Sequence, residues 1–578
     1  LNNREIADLF DRIADMLEIR GEVIHRVLAY RNAAGAVREY PRDLRAVAAE
    51  GGLESIPAVG KTLADKITEM LDTGHLAFYD RLAAEIPAGV VDILHVSGVG
   101  PKRARSFWKE AGLTSIDALE AAAQDGRLAA LPGMGQKSAA RILEGVAAFR
   151  RRASDTRTPL GVALPAAEHM LNALLALPGV RGGTVAGSLR RALPTIGDVD
   201  LLVAAEGATE AVLDTFTGMD TVAAVLWRGP EKASVQLHTG LQVDLRLIPP
   251  QRWGTALVYF TGSKAHNIRI RELALARGLS LNEFAFSPTD GGPEILCDTE
   301  EAVYAQLGLP WIPPEIREQW GELEAAQRGA LPRLVEAAQL HADLHMHTTW
   351  SDGTDSVRAM AEAALARGLK WIVITDHSRS ATIANGLSVE RLLEQQREVR
   401  AVDAAMGGAI RVFHGSEVEI RADGTLDYPD DVLQQLDFVI AALHVGLRQP
   451  REQVTTRMIG AIRNPHVDMI AHPRGQLIPE REGADLDLEA VFSAAREHGT
   501  ALEINSNPAR LDLEAGNARR AAELGIPIAI NTDAHATSEL ALQRFGVLTA
   551  RRGWLTAPQV LNTWPLDAFQ RWIEERHG

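Results

Sequence analysis

DLHMHTTWSDG (343–353) sets His345 and His347 two residues apart at the end of a short apolar run, and the chain beyond it repeats that plan. WIVITDH (371–377) is a β-rich run ending in Asp376-His377, and RVFHGSEVE (411–419) brings Glu417 to its end. DFVIAALH (437–444) ends in His444, VDMIAHP (467–473) in His472, and IPIAINTDAH (526–535) in Asp533 and His535. Helical stretches such as SVRAMAEAALARGL (356–369) and LEAVFSAAREHG (488–499) lie between them. One further strand, TALEINS (500–506), has no His or Asp at its end. Seven strands alternating with helices predict a (β/α) barrel with its site at the C-terminal rim of the strands. Alternate strand residues point the same way, so 345/347 and 533/535 each present two side chains to one pocket. A lone histidine at a strand end is as often structural as ligating. With Asp352 after the first strand, however, nine such residues gather at six strand ends. A set of imidazoles and carboxylates alone suits Zn, Mn or Fe rather than Ca.

A chain of 578 residues implies several domains, and 46% hydrophobic content supports real cores. No apolar run is long enough to span a membrane, and the start, LNNREIADLF, has no signal-peptide pattern. A cytoplasmic protein with no membrane partner is expected. The single cysteine, Cys297, excludes an intramolecular disulfide and a cysteine-based zinc site. The net charge of −16 argues, by itself, against nucleic acid. Its distribution weakens that argument, because residues 1–160 hold 22 basic and 22 acidic side chains and the other 418 carry the whole excess. Filled carboxylate-rich metal sites would reduce it further.

Residues 1–155 read as almost wholly helical, with three similar interruptions: SIPAVGKTLADKI (55–67), HVSGVGPKRARSF (95–107) and ALPGMGQKSAARI (130–142). In each a hydrophobic-x-Gly/Ala-hydrophobic-Gly turn leads into an amphipathic helix. Glycine permits the positive φ of a tight turn, and a helix N-terminus offers free N–H groups to an anion. Such helix-hairpin-helix units grip a DNA phosphate without reading bases, here through Gly60, Gly98, Gly100, Gly133 and Gly135. A glycine turn between packed helices is the bland alternative for one copy, and three copies favour DNA. The basic stretch RRRASDTRTP (150–159) reads as a connector to a mixed α/β region.

TVAGSLRRALPTIGDVDLLVA (184–204) carries a second constellation. Gly187-Ser188 follows a β-like run, and Asp198 and Asp200 lie two apart on a strand, so both carboxylates share one face. Asp244 interrupts the apolar strand LQVDLRLI (241–248), where an acid is costly unless a cation neutralises it. D-x-D alone is common. Joined to Gly-Ser upstream and a buried-strand acid downstream, it favours two-metal nucleotidyl transfer.

These motifs resemble two known families. Residues 341–578 resemble the polymerase and histidinol phosphatase (PHP) phosphoesterases, which implies up to three Mn²⁺ or Zn²⁺ ions and hydrolysis of a phosphoester. The resemblance places one metal on His345, His347, Glu417 and Asp533, a second on Glu417, His444 and His472, and a third on Asp352, His377 and His535. AGSLRR (186–191), GDVDLL (197–202), VDLRLIP (243–249) and YFTGSKAHNIRIREL (259–273) resemble the family X DNA polymerases, the bacterial branch of which joins both parts. That resemblance implies Asp198, Asp200 and Asp244 as catalytic ligands of Mg²⁺ or Mn²⁺, with Gly187, Ser188 and Arg191 at the incoming triphosphate. Tyr259, Phe260 and Gly262 would shape the sugar pocket, and Asn267 and Arg271 would sit at the nascent base pair. Ser188 as a helix cap and Tyr259 as a core aromatic are the bland alternatives. Three residues depart from the pattern: Gln242 replaces an arginine of the vertebrate enzymes, Ala192 a glycine, and Lys264 an aspartate, although a lysine there is usual in the bacterial branch. YRNAA (30–34) and the first hairpin resemble the small lyase domain, which puts Lys66 at the Schiff-base position and His25 and Arg26 at a 5′-phosphate site. A solvated helix lysine is the alternative for Lys66.

The expected architecture is multidomain. A lyase-like helical DNA-binding domain (1–88) precedes a helix-hairpin-helix fingers domain (89–158), an α/β nucleotidyltransferase palm (159–250) and a thumb (251–316). A tether (317–340) then leads to a (β/α)7-type PHP barrel (341–578). The implied function is gap-filling DNA repair synthesis on gapped or primer-template DNA with deoxynucleoside triphosphates, by a monomer associated with the nucleoid. The barrel would remove 3′ nucleotides or act on 3′ blocks and abasic sites. Rival readings are a barrel acting on small phosphoesters, and a DNA-binding scaffold with both sites silent. Six of the nine barrel ligands are histidines, so the barrel is expected to lose metal near pH 6.5 and the all-aspartate palm only at lower pH.

Overall fold

Every β-rich run that ends in a histidine or acid becomes a parallel strand. The computed structural model describes the chain apart from residues 2, 40–43, 57, 97, 132, 154–156, 208 and 578, and the middle of the connector 150–159 therefore lies outside the described residues. Two compact units emerge. One comprises Leu1–Thr158, Val162–Val185 and Ile196–Pro250; the other comprises Pro159–Gly161, Ala186–Thr195 and Gln251–Gly578.

In the first unit the N-terminal region is helical, as its patterning predicts. The three turns end where helices Lys61–Thr73, Pro101–Ala111 and Gln136–Ala153 begin. Gly98 and Gly133 adopt φ of 90° and 74°, the left-handed values the turn requires, and Ala58 takes the same place in the first hairpin at φ 60°. Isoleucine, leucine and valine side chains from all these helices, with Phe10 and Phe107, form one buried cluster.

The same unit holds a five-stranded sheet: β1 (Val180–Val185), β2 (Asp198–Ala205), β3 (Val222–Arg228), β4 (Lys232–Leu237) and β5 (Gln242–Ile248), in the order β1-β2-β5-β4-β3. Strands β2 and β5 pair in parallel, which sets Asp200 directly opposite Asp244 and Asp198 opposite Gln242.

In the second unit, strands β6 (Ala342–Asp343), β7 (Trp371–Ile374), β8 (Arg411–Glu419), β9 (Phe438–Ala442), β10 (Met469–Ile470), β11 (Ala501–Asn505) and β12 (Ile528–Asn531) pair in sequence order, each parallel to the next. A parallel bridge between Met346 and Ala534 joins the last strand end to the first. Apart from the partly exposed Arg411 that opens β8, the strands are buried, as expected where helices cover the outside.

The thumb is built from helices Trp253–Thr261, Lys264–Leu275 and Glu300–Gln306 around Ile270, Phe286, Val303 and Tyr304. The stretch read from sequence as a tether is built into this core. Leu323, Ala326 and Leu334 join the same cluster, and Glu322 is fully buried against His266 at 2.7 Å. Arg317 and Glu322 of this stretch are fully buried, while Arg328, Arg333 and Glu336 stay exposed. Among the described residues, no helix is long and apolar enough to cross a membrane.

Candidate active sites

At the C-terminal rim of the barrel the nine expected ligands converge on Glu417, the carboxylate that β8 carries. His472 Nε2 lies 2.9 Å from its Oε1 and His444 Nε2 3.4 Å. From its Oε2, His377 Nδ1 is 2.8 Å away, His345 Nε2 3.6 Å and His347 Nε2 3.7 Å. Asp533 Oδ1 stands 3.1 Å from His347 Nε2 and 3.5 Å from His345 Nε2. Asp352 completes the outer side, 3.4 Å from His535 and 3.6 Å from His377.

Three groupings able to hold an ion result: His345, Glu417 and His472; His345, His347 and Asp533; and His347, Asp352, His377 and His535. Against the expected division, His345 and His347 each serve two groups, Glu417 serves one with His345 and His472, and His444 is in none of them but lies 3.4 Å from Glu417. The donor set itself tests whether metal fits. His347 Nδ1, His377 Nδ1, His472 Nδ1 and Glu417 Oε2 are buried with no hydrogen-bond partner, and the close pair of His377 and Glu417 lacks hydrogen-bond geometry. Lone pairs left unsatisfied in a buried pocket are costly, and cations would satisfy them.

Electrostatics agree with a site made for cations. Burial pushes the Glu417 carboxyl up, yet His444, His377 and His345 hold it well below its usual value. Burial likewise opposes charge on His345, and Glu503, Asp533 and Glu417 override it. The backbone is held under tension here: His472 and Asp533 adopt φ of 25° and 55°, a conformation costing about 1–3 kcal/mol for a non-glycine residue.

Two functional carboxylates escaped the sequence reading. Glu503, in the strand that had no His or Asp at its end, is fully buried and lies 2.8 Å from His345 Nδ1, which directs Nε2 of that ring to the pocket. It also accepts the His472 backbone N–H at 2.7 Å. Glu419 does the same for His444, 2.7 Å from Nδ1. An acid inside an apolar strand was the signal for Glu503, the same signal that drew attention to Asp244. Asp376, which ends its run beside His377, points away to Thr348, Ser351 and Gln395 and is structural.

On the palm sheet, Asp198, Asp200 and Asp244 share one face, with Asp198 exposed and the other two half-buried. Burial, reinforced by Asp198 and Asp244, raises the Asp200 carboxyl to about 6. Three acids that resist being charged together suit a site completed by cations. Gln242, the departure from arginine, donates from Nε2 to both carboxylate oxygens of Asp244 at 3.2 Å, and Ser234 donates to the same acid from the neighbouring strand. Asp244 is thus oriented by neutral donors.

In the second unit, the adjacent arginines divide their work. Arg190 is consumed by Glu300, at 2.8 and 2.9 Å, and by Thr261. Arg191 donates from Nε to Glu318 at 2.9 Å and from Nη1 to the Thr261 carbonyl at 2.6 Å, with no partner at Nη2 among the described residues. Gly187 takes φ 59°, and Ser188 is half-buried in the short helix that Gly187 opens. Tyr259 and Phe260 pack edge to face at 5.1 Å; Asn267 donates to the Tyr259 carbonyl at 2.7 Å, and Arg271 lies 5.7 Å from the Tyr259 ring. Tyr259, Asn267 and Arg271 line one small cavity. Gly262 takes φ 70° beside Arg191, while Lys264 opens the following helix.

In the N-terminal helices, the Lys66 ammonium sits 4.6 Å from the Phe78 ring, which stacks on Tyr30 and carries Arg26 at 5.5 Å. His25 is exposed.

Comparison with known proteins follows the same division. Family models match for a helix-hairpin-helix domain (residues 1–76), a SAM-like helix-hairpin-helix tandem (90–147), the DNA polymerase beta thumb (256–318) and the PHP domain (343–507). The chain is 36% identical over 576 residues to the DNA polymerase/3′-5′ exonuclease PolX of Bacillus subtilis, covering 99% of this chain and 100% of that one. It is 31% identical over 253 residues to a probable phosphatase of Thermoanaerobacter sp. (strain X514), covering 41% of this chain and 96% of the phosphatase. DNA polymerase lambda of Rattus norvegicus is 26% identical over 344 residues, covering 55% and 56% of the two chains.

Proposed function

Since the chain belongs to the bacterial family X DNA polymerases that carry a C-terminal PHP domain, we propose that it fills short gaps in DNA and that its barrel removes nucleotides from 3′ ends. The observation that carries this reading is the presence of two complete and disjoint ligand sets, one around Glu417 and one on the palm face of Asp198, Asp200 and Asp244.

Mg²⁺ or Mn²⁺ held by the aspartates, and up to three Mn²⁺ or Zn²⁺ ions held by the barrel ligands, would supply Lewis acidity and would lower the pKa of water or of a primer hydroxyl. Everything else falls to side chains. Asp198, Asp200 and Asp244 hold the cations of the palm, and Gln242 and Ser234 keep Asp244 facing them. Ser188 and Arg191 meet the triphosphate of the incoming deoxynucleotide. Tyr259, Phe260 and Gly262 enclose its sugar, and Asn267 and Arg271 contact the new base pair. The hairpin glycines bring backbone N–H groups to DNA phosphates, which position the duplex without reading sequence. In the barrel the nine ligands hold the ions, with Glu503 and Glu419 fixing the tautomers of His345 and His444. Lys66 acts as an amine nucleophile on a baseless sugar. The protein works as a monomer at chromosomal gaps.

A barrel specialised for small phosphomonoesters is the second reading, favoured by the likeness to the probable phosphatase. A full-length Asp198→Ala plus Asp200→Ala variant tests the main one on 3′-labelled gapped DNA with Mn²⁺. Incorporation is abolished and 3′ digestion persists. Loss of digestion in the folded variant overturns the two-site model, and a wild-type barrel that ignores DNA but cleaves p-nitrophenyl phosphate establishes the second reading.

A further inference from the structure

The residue expected at the triphosphate, Arg191, is held by a side chain of the barrel. Helix Gln543–Arg552 ends in Arg552, which is 7% exposed. Its Nη1 donates to the Arg191 carbonyl at 2.6 Å and to Glu318 Oε1 at 2.9 Å. The same Glu318 oxygen accepts Arg191 Nε at 2.9 Å. Two guanidiniums thus share one carboxylate oxygen, leaving excess positive charge where an anion is expected.

The backbone explains why Arg191 needs this support. The helix that presents it has four residues, Gly187–Arg190, and is too short to hold itself. The next residue is Ala192, where the family pattern has glycine, and it adopts the left-handed φ of 54°. A side chain in that conformation costs about 1 kcal/mol or more relative to glycine. The carbonyl that Arg552 grips joins Arg191 to Ala192, so the barrel's bond falls on the strained link itself.

Arg552 is itself firmly placed. Its helix lies directly on the strands beside the metal centre: a Cβ at Gly546 would stand 2.1 Å from Ser506 Oγ and 2.7 Å from Ile530. At the other end, Arg551 is bonded to Glu315 at 2.7 Å and to the Val335 carbonyl at 3.1 Å.

We propose that Arg552 is a positioning residue for nucleotide binding: through the Arg191 carbonyl and Glu318 it sets the Arg191 guanidinium, so that the PHP barrel is a structural part of the polymerase's triphosphate site. This rests on the assignment of Arg191 to the triphosphate. Arg191 spends Nε and Nη1 on the protein and keeps Nη2 for the ligand, and its aim depends on both bonds that Glu318 and Arg552 provide.

Single-nucleotide gap filling by the full chain tests it, with Arg552→Ala, Arg552→Lys, Glu318→Gln, Arg191→Ala and the Arg552→Ala/Arg191→Ala pair. Arg552→Ala raises KM for the deoxynucleotide about tenfold with kcat changed little, the scale of one charge-assisted hydrogen bond. DNA affinity and barrel hydrolysis stay at wild-type levels, which also reports that the variant is folded. Arg552→Lys recovers much of the loss, because an ammonium still donates to the carbonyl, and Glu318→Gln shifts KM in the same direction. The double variant is no worse than Arg191→Ala alone, because Arg552 acts only through Arg191. A wild-type KM in Arg552→Ala, or losses that multiply in the double variant, overturns the proposal. An Arg191→Ala variant with unchanged KM overturns instead the assignment of Arg191. If Arg552→Ala does not fold, Arg552→Lys and Glu318→Gln decide, and wild-type KM in both overturns the proposal.

Discussion

Glu417 is surrounded by five imidazoles at 2.8–3.7 Å, more than any other residue of the barrel set. Glu417→Ala is therefore expected to abolish barrel hydrolysis and to remove more than about one equivalent of bound metal. His377→Ala, at the edge of the set, removes about one. Elemental analysis of the purified variants checks this, and an unchanged metal count in Glu417→Ala would show that it bridges nothing. Asp200 offers a second test at this scale. Its carboxyl is raised to about 6, so between pH 4 and 6 the folded state binds more protons than the unfolded state. Stability of the metal-free palm then falls as pH rises through that window. Asp200→Asn removes the penalty, raising the metal-free unfolding free energy at pH 8 by on the order of 2 kcal/mol and leaving pH 4 nearly unchanged. Equal effects at both values would mean that the gain comes from packing.

The helix-hairpin-helix turns are the elements whose role depends most on backbone conformation. Gly98 and Gly133 lie at φ of 90° and 74°, and a Cβ at either position has no contact closer than 3.9 Å. Gly98→Val or Gly133→Val therefore acts by straining the turn rather than by a clash. Each is expected to weaken binding to gapped DNA equally across sequences, since phosphate contacts carry no sequence information. Unchanged affinity in both variants would make these hairpins packing turns. The first hairpin is the natural counterpart: Ala58 already sits at φ 60°. Ala58→Gly should stabilise the helical region by about 1 kcal/mol, read from its denaturation midpoint.

Across the whole molecule, both metal-binding sets respond to acid, and the palm does so at higher pH than its residue types suggest. Six imidazoles must be neutral to bind metal, so barrel loading falls as acid protonates them. Aspartates alone would hold cations to about pH 4. The burial and mutual repulsion that raise Asp200 to about 6 bring proton competition at the palm up towards neutral pH. Mg²⁺-dependent incorporation should weaken between pH 7 and 5.5, alongside barrel metal content. A palm affinity for Mg²⁺ that stays flat down to pH 5 would show that Asp200 ionises normally.

What the sequence determined by itself is what local spacing records. Strand alternation and repetition of strand, ligand and helix located the barrel, the eight residues that gather into its three groups, and His444 beside Glu417. The same logic paired Asp198 with Asp200 and singled out Asp244 as an acid misplaced in an apolar strand. Glycine turns ahead of amphipathic helices marked the three hairpins. These features depend on residues close in the chain, where helix and strand periods fix which side chains share a face. Tertiary structure alone decided the partners. Glu503 reaches His345 across 158 positions, and Glu322, in the stretch read as a tether, is buried against His266. Gln242, a departure from arginine by sequence, becomes the residue that orients Asp244. Arg552 and Arg191 lie 361 positions apart. A long-range hydrogen bond leaves no periodic trace, because its geometry is set by how packed elements cross, which neither partner's neighbours encode.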